Sequence, residues 1–120
     1  MTDAETAAAA ERYRRTLGEM ADLAGSQGYV DSTRRWDALV DRLAADEPAV
    51  RDSPEGRATV EELLTDPRPT VRLRAATTAL SWDEARALEV LSEIRENPTA
   101  YGLNSINAKQ TMLQHEAGRA

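Results

Sequence analysis

Apolar residues recur along this chain at the three- and four-residue spacing that sets one side of an α-helix against a core. Tyr13, Leu17, Met20 and Ala24 form the first such stripe, within a helix expected over 4–27 that Gly25 and Gly28 end. Trp36, Leu39, Val40 and Leu43 form the second, in a helix over 31–47 that Asp31 or Ser32 caps and the run from Asp46 to Pro48 stops. Ser53-Pro54-Glu55 opens a third, short helix with a capping hydroxyl, a proline at its first position and a carboxylate near the positive end of its dipole; Val60, Leu63 and Leu64 point inward. A fifth helix runs from about Asp83 to Glu96, burying Ala87, Leu88, Leu91 and Ile94, and Asn97-Pro98 ends it. The sixth spans about Leu103 to Ala117, with Ile106, Leu113 and Ala117 as its best inner face and Gly118 as C-cap.

The fourth helix is the one the others are arranged around. Pro67 and Pro69 separate it from the third, because proline suits a first helical turn and little else inside a helix. Counted from Val71 at about 100° per residue, Val71, Ala75 and Thr78 share one side, while Leu73, Ala76 and Leu80 share the opposite one. Two apolar stripes require neighbours on both flanks, and Ala75, Ala76 and Ala79 allow them to approach closely. Short loops then make the helices antiparallel pairs, stacked as a small right-handed solenoid or gathered into a plain bundle.

An aspartate, prolines around a turn, then Val-Arg, Ala-Ala and Ala-Leu (Asp66 to Leu80) resembles the first helix of a HEAT-type repeat. The segment PEGRATVEELL before it, WDEARALEVLSEI after it and the closing run from Ala108 to Leu113 with Gly118 extend the likeness over 53–118. Together they are similar to a bacterial family of short, stand-alone HEAT-like proteins of unknown function. That resemblance implies a right-handed helical-repeat solenoid of five or six antiparallel helices, with Asp66, Pro69, Val71, Arg72 and Ala75 as its structural motif. It also implies that Asp66 and Arg72 tie the turn to the stack. It implies no activity.

Composition agrees with an all-α chain of one domain. The 120 residues include 21 alanines, no phenylalanine and 4% aromatics. Without cysteine there is neither a disulfide nor a thiolate metal site. No signal-peptide pattern opens the chain and no apolar run reaches the ~20 residues of a membrane span, so a cytoplasmic protein with no membrane partner is expected.

Candidate chemistry is sparse. His115 is the single histidine, with only Glu116 beside it in sequence, and a metal site needs three or four ligands. Glu61-Glu62 and Asp83-Glu84 are adjacent pairs, which point about 100° apart on a helix and do not converge on one atom. No glycine-rich loop resembles a phosphate cradle. The reading is therefore non-enzymatic, with no cofactor and no metal. A net charge of −6 argues against nucleic acid as a partner; Arg57, Arg68, Arg72 and Arg74 are balanced locally by Asp52, Glu55, Glu61, Glu62 and Asp66.

If the fourth helix is an outer one, the first, third and fifth line a concave face. Glu89, Glu93 and Glu96 on the fifth, Glu55 and Glu62 on the third, and Glu11, Glu19 and Asp22 on the first would make that face acidic. One explanation is solubility. The other is complementarity to a basic partner protein, as a bacterial immunity or neutralising protein would need against a nuclease toxin. A structural or regulatory subunit acting by self-association is the alternative. Tyr29, Trp82 and Tyr101 fall in connections, where they either seal helix ends or anchor an interface, and Trp36 is assigned to the core.

Overall fold

The computed structural model describes residues 2–24 and 30–119, and those residues form seven helices and no strand. They are α1 (Asp3–Ala24), α2 (Val30–Arg51), α3 (Pro54–Leu63), α4 (Pro69–Ala79), α5 (Glu84–Arg95), α6 (Pro98–Tyr101) and α7 (Leu103–Arg119). Gly25, Gly28 and Tyr29 lie outside the described residues. Helix α2 begins at Val30, ahead of both Asp31 and Ser32, whose side chains are also outside the description.

Local chemistry explains most boundaries. Thr2 and Glu5 exchange hydrogen bonds at the start of α1: the Glu5 amide donates to the Thr2 hydroxyl at 3.1 Å, and the Thr2 amide donates to the Glu5 carboxylate at 3.3 Å. Ser53 caps α3 by accepting from the Gly56 amide at 3.0 Å, with Pro54 at the first helical position. Helix α2 does not stop before Pro48 but carries it inside and ends at Arg51. Proline there forfeits one intrahelical bond near the end of the helix, yet the Asp52 amide still reaches the Pro48 carbonyl at 3.0 Å. Continuing the helix also buries Val50 completely, worth about 1.5–3 kcal/mol. Gly56 packs against that residue so closely that a Cβ on it would stand 2.2 Å from the Val50 carbonyl oxygen. The extra element, α6, is a four-residue turn that Pro98 starts and Gly102 ends at a positive φ of 55°.

Helix α4 is enclosed on both flanks. Thr70, Val71, Leu73, Ala75, Ala76, Thr78 and Ala79 are all buried, with α1 and α3 on one side and α5 and α7 on the other. Tyr13 of α1 is fully buried and donates its hydroxyl to Thr78 Oγ1 at 2.6 Å; the Thr78 proton is committed to the Arg74 carbonyl at 3.2 Å. Burial pushes the Tyr13 phenol far above its ordinary range.

Side-chain pairs fix the directions. Arg12–Asp46 at 3.0 Å and Arg42–Glu19 at 3.1 Å make α1 and α2 antiparallel. His115–Glu84 at 2.8 Å and the Ser105 hydroxyl on the Arg95 carbonyl at 2.9 Å do the same for α5 and α7. Arg72 near the start of α4 meets Glu93 near the end of α5 at 3.5 Å, so these two are antiparallel as well. Helix α7, whose Asn104 donates to Thr70 at the start of α4 at 3.3 Å, therefore runs the same way as α4. Helix α1 packs broadly on α2, α3 and α4, whereas α2 barely touches α4. A gap is left beside α4 on that side.

The inner face of α7 differs from the expected one. Ile106 and Leu113 are each 54% exposed and Ala117 is exposed, while Ser105, Ala108 and half-buried Met112 and His115 face the core. The buried residues on that side, Ser105 and Ala108, are small, and they lie where α7 packs on α5. Gly118 lies within α7 and does not cap it.

Candidate binding cleft

The gap beside α4 is the principal concavity on this side of the molecule. Its larger part, about 650 Å³, is lined by Ala24, Trp36, Arg74, Tyr101, Leu103, Asn104 and Asn107. It continues into a recess of about 250 Å³ between Leu73, Arg74 and Thr77 of α4 and Asn107, Gln110, Thr111 and Gln114 of α7. Arg74 and Asn107 belong to both parts. Such volumes suit a small molecule or a few residues of polypeptide.

Arg74 stands at the junction. Its guanidinium lies over the Trp36 ring, 5.5 Å from the centroid, and no carboxylate among the described residues pairs with it. Burial makes its proton easier to lose than usual, an effect that attraction to Tyr13 and Glu47 opposes. The wall facing it is built by a helical repeat: Asn104, Asn107, Thr111 and Gln114 follow at steps of three and four on one side of α7. Asn104 is tied to Thr70, but the amides of Asn107, Gln110 and Gln114 make no side-chain hydrogen bond to the described residues. Each offers a donor and an acceptor to the cleft. Trp36 is half-buried, with part of its ring packed on the core and part lining the cleft.

The two neighbouring arginines of α4 are used differently. Arg72 donates to the Asp66 carbonyl at 3.0 Å and to the Pro67 carbonyl at 3.2 Å, pairs with Glu93 at 3.5 Å and lies 5.3 Å from the centre of the Tyr101 ring. It ties the turn to the helices, but through the Asp66 backbone. The Asp66 carboxylate instead holds Arg68, with bonds of 3.0 Å from Nε and from Nη2 and 2.9 Å from the amide, and these hold it below the ordinary carboxylate range. Pro69 sits at the first helical position, and Val71 and Ala75 are fully buried.

Of the residues expected to form an acidic face, the five glutamates of α3 and α5 (Glu55, Glu62, Glu89, Glu93 and the adjoining Glu96) are all exposed, and none lines this cleft. Glu62 pairs with Arg14 at 2.8 Å, and Glu96 pairs with Arg95 at 3.0 Å. Glu93 pairs with Arg72 and accepts the Tyr101 hydroxyl at 2.6 Å. Glu55 lines a separate depression with Asp3 and Asp52, and Glu89 is exposed on α5. Three of the five thus have part of their charge offset by the chain's own arginines. Trp82, in the connection between α4 and α5, folds back on α3: Arg57 lies 5.0 Å above its ring and its Nε1 donates to Glu61 at 3.4 Å.

His115 is a clamp between α5 and α7, away from the cleft. Among the described residues no group of three or more His, Cys, Asp and Glu side chains is placed to hold a metal ion, and no helix is long and apolar enough to cross a membrane. Comparison with protein-family models, curated proteins and solved structures finds no match. What fold and site define is an all-helical protein with a cleft that presents one unpaired arginine, two aromatic rings and a row of amides.

Proposed function

We propose that this protein is a non-enzymatic binding module that takes an extended segment of another protein into the cleft between α2, α4 and α7. The observation that carries the reading is Arg74, a half-buried guanidinium without an anionic partner in a ligand-sized concavity. A carboxylate from the segment, either a side chain or its C-terminus, completes that arginine. The unbonded amides of Asn107, Gln110 and Gln114 match the alternating donors and acceptors of an extended peptide backbone. Trp36 and Tyr101 supply flat apolar faces. The net charge of −6 disfavours a partner rich in acidic residues, so the favoured segment carries one carboxylate among neutral or basic residues. The shared direction of α4 and α7, together with the antiparallel pairs α1–α2 and α5–α7, supports a HEAT-like stack, with the cleft lined by residues other than the glutamates its charge pattern suggested.

The test is selection from a random peptide library, with free and amidated C-termini, followed by calorimetry of the chosen peptide. Enrichment of one carboxylate is expected, and Arg74→Gln lowers affinity roughly ten- to a hundredfold. No enrichment, or binding indifferent to Arg74, would sink the proposal.

A further inference from the structure

Only three large apolar side chains are exposed among the described residues: Leu103 at 77%, Ile106 at 54% and Leu113 at 54%. All three are on α7, and they are not scattered on it. Leu103, Ile106, Gln110, Leu113 and Ala117 follow at steps of three, four, three and four, the period of a coiled-coil seam, and run down the side opposite Ser105, Ala108 and Met112. Three of the four large apolar residues of this helix therefore face away from the chain's own core, Met112 being the exception.

We infer that this seam pairs with the same seam of a second copy, giving an antiparallel helix–helix dimer. Charge selects that occupant. The chain as a whole carries −6, but the charged residues on α7 are Lys109, Glu116 and Arg119 with the neighbouring His115, so this helix adds nothing to the negative excess that would drive two copies apart. Lys109 and Glu116 occupy equivalent flanking positions seven residues apart on one side of the seam, and Asn107 and Gln114 do so on the other. An antiparallel pair with its two-fold axis near Thr111 and Met112 brings Lys109 of each copy to Glu116 of the other and Asn107 to Gln114. In a parallel pair, Lys109 meets Gln114 and no ion pair forms. Opposed helix dipoles favour the same choice.

Size sets the strength. A helix of 17 residues is about 25 Å long, and a single helix pair of that length buries on the order of 1,000 Å², the lower edge of specific interfaces. Gln110 in the middle of the seam weakens it further and fixes its register. The dimer consequently forms at micromolar concentrations. Leu103, Asn107, Gln110 and Gln114 belong to the cleft wall as well as to the seam and its flank, so a second copy and a peptide compete there, whereas Arg74 lies outside the seam.

Sedimentation equilibrium of the whole chain, from about 5 to about 500 µM at low and high salt, tests it. A monomer–dimer equilibrium that survives high salt is expected. Ile106→Glu and Leu113→Glu, both at exposed positions, each weaken it at least about tenfold with helicity unchanged, and Gln110→Leu tightens it at least about tenfold. Lys109→Glu weakens it at low salt, and adding Glu116→Lys restores it. A monomer throughout the range, association that persists in both glutamate variants, or failure of the charge swap to restore pairing would overturn the antiparallel dimer.

Discussion

Replacing Arg74 with methionine should make the free protein more stable while abolishing its use as a receptor. Methionine keeps an unbranched stem and a similar helix propensity, so backbone terms nearly cancel. What is lost is the stacking on Trp36 at 5.5 Å, about 0.5–1 kcal/mol for a partly exposed pair. What is recovered is the cost of holding a guanidinium half out of water without a hydrogen-bonding partner, about 1–3 kcal/mol. The difference favours Arg74→Met by about 1 kcal/mol, a rise in Tm of about 4 °C for a chain of this size. Arg72→Met, two residues away on the same helix, has the opposite sign. It removes two bonds to backbone carbonyls, the pair with Glu93 and the contact with Tyr101, and costs about 2 kcal/mol. Urea and thermal unfolding followed by circular dichroism measure both. Destabilisation by Arg74→Met of 1 kcal/mol or more would show that Arg74 is held for the fold, through longer-range attraction to Glu47, and would remove the reason for regarding it as vacant.

Three further outcomes follow from particular contacts. Gly56→Ala gains about 1 kcal/mol of helix propensity but puts a Cβ 2.2 Å from the Val50 carbonyl oxygen and 2.4 Å from its Cα, so a net loss of about 2–4 kcal/mol is expected in urea unfolding. A neutral result would mean that the α2–α3 corner yields. Thr16 is fully buried with an unpartnered hydroxyl, and Thr16→Val should stabilise by about 1 kcal/mol; a loss of similar size would reveal a partner for that oxygen. The Asp66 carboxyl is lowered in the folded chain, chiefly by its bonds from Arg68, so its contribution is present above its ordinary value of 3.8 and disappears as pH falls through the lower folded value. The stability difference between the native chain and Arg68→Gln should stay level from about pH 8 to about pH 5 and shrink below about pH 4. A difference that instead grows in acid would contradict the assignment.

Where local chemistry decided the outcome, the chain could be read directly. The prolines before α4 and its two stripes required neighbours on both sides, and burial of Val71 and Ala75 on one stripe and of Leu73 and Ala76 on the other gives it them. Ser53 and Pro54 announced α3. Pro48 misled because a proline near the end of a helix costs one bond, which the burial of Val50 offsets, and only the packed structure shows that burial. Helix α7 misled more instructively. Its outward stripe is more apolar than its inward one, so ranking its faces by hydrophobicity selects the wrong side. The cleft escaped notice because Asn and Gln read as ordinary surface residues; the regular steps from Asn104 to Gln114 were the available signal. Arg74 was counted with its neighbours as locally balanced, and nothing in the order of residues distinguishes it from Arg72, whose bonds depend on the turn at Asp66 and Pro67.

The central claim is that ligand enters beside Arg74 and not at the glutamates of α3 and α5. Nuclear magnetic resonance of isotope-labelled protein, titrated with the peptide chosen from the library, tests this most directly. The account predicts that the largest shifts fall on the Arg74 Nε–H, the Trp36 indole N–H and the side-chain amides of Asn107, Gln110 and Gln114. Shifts concentrated instead on Glu55, Glu89 and Glu96, with those of Arg74 and Trp36 unmoved, would contradict it.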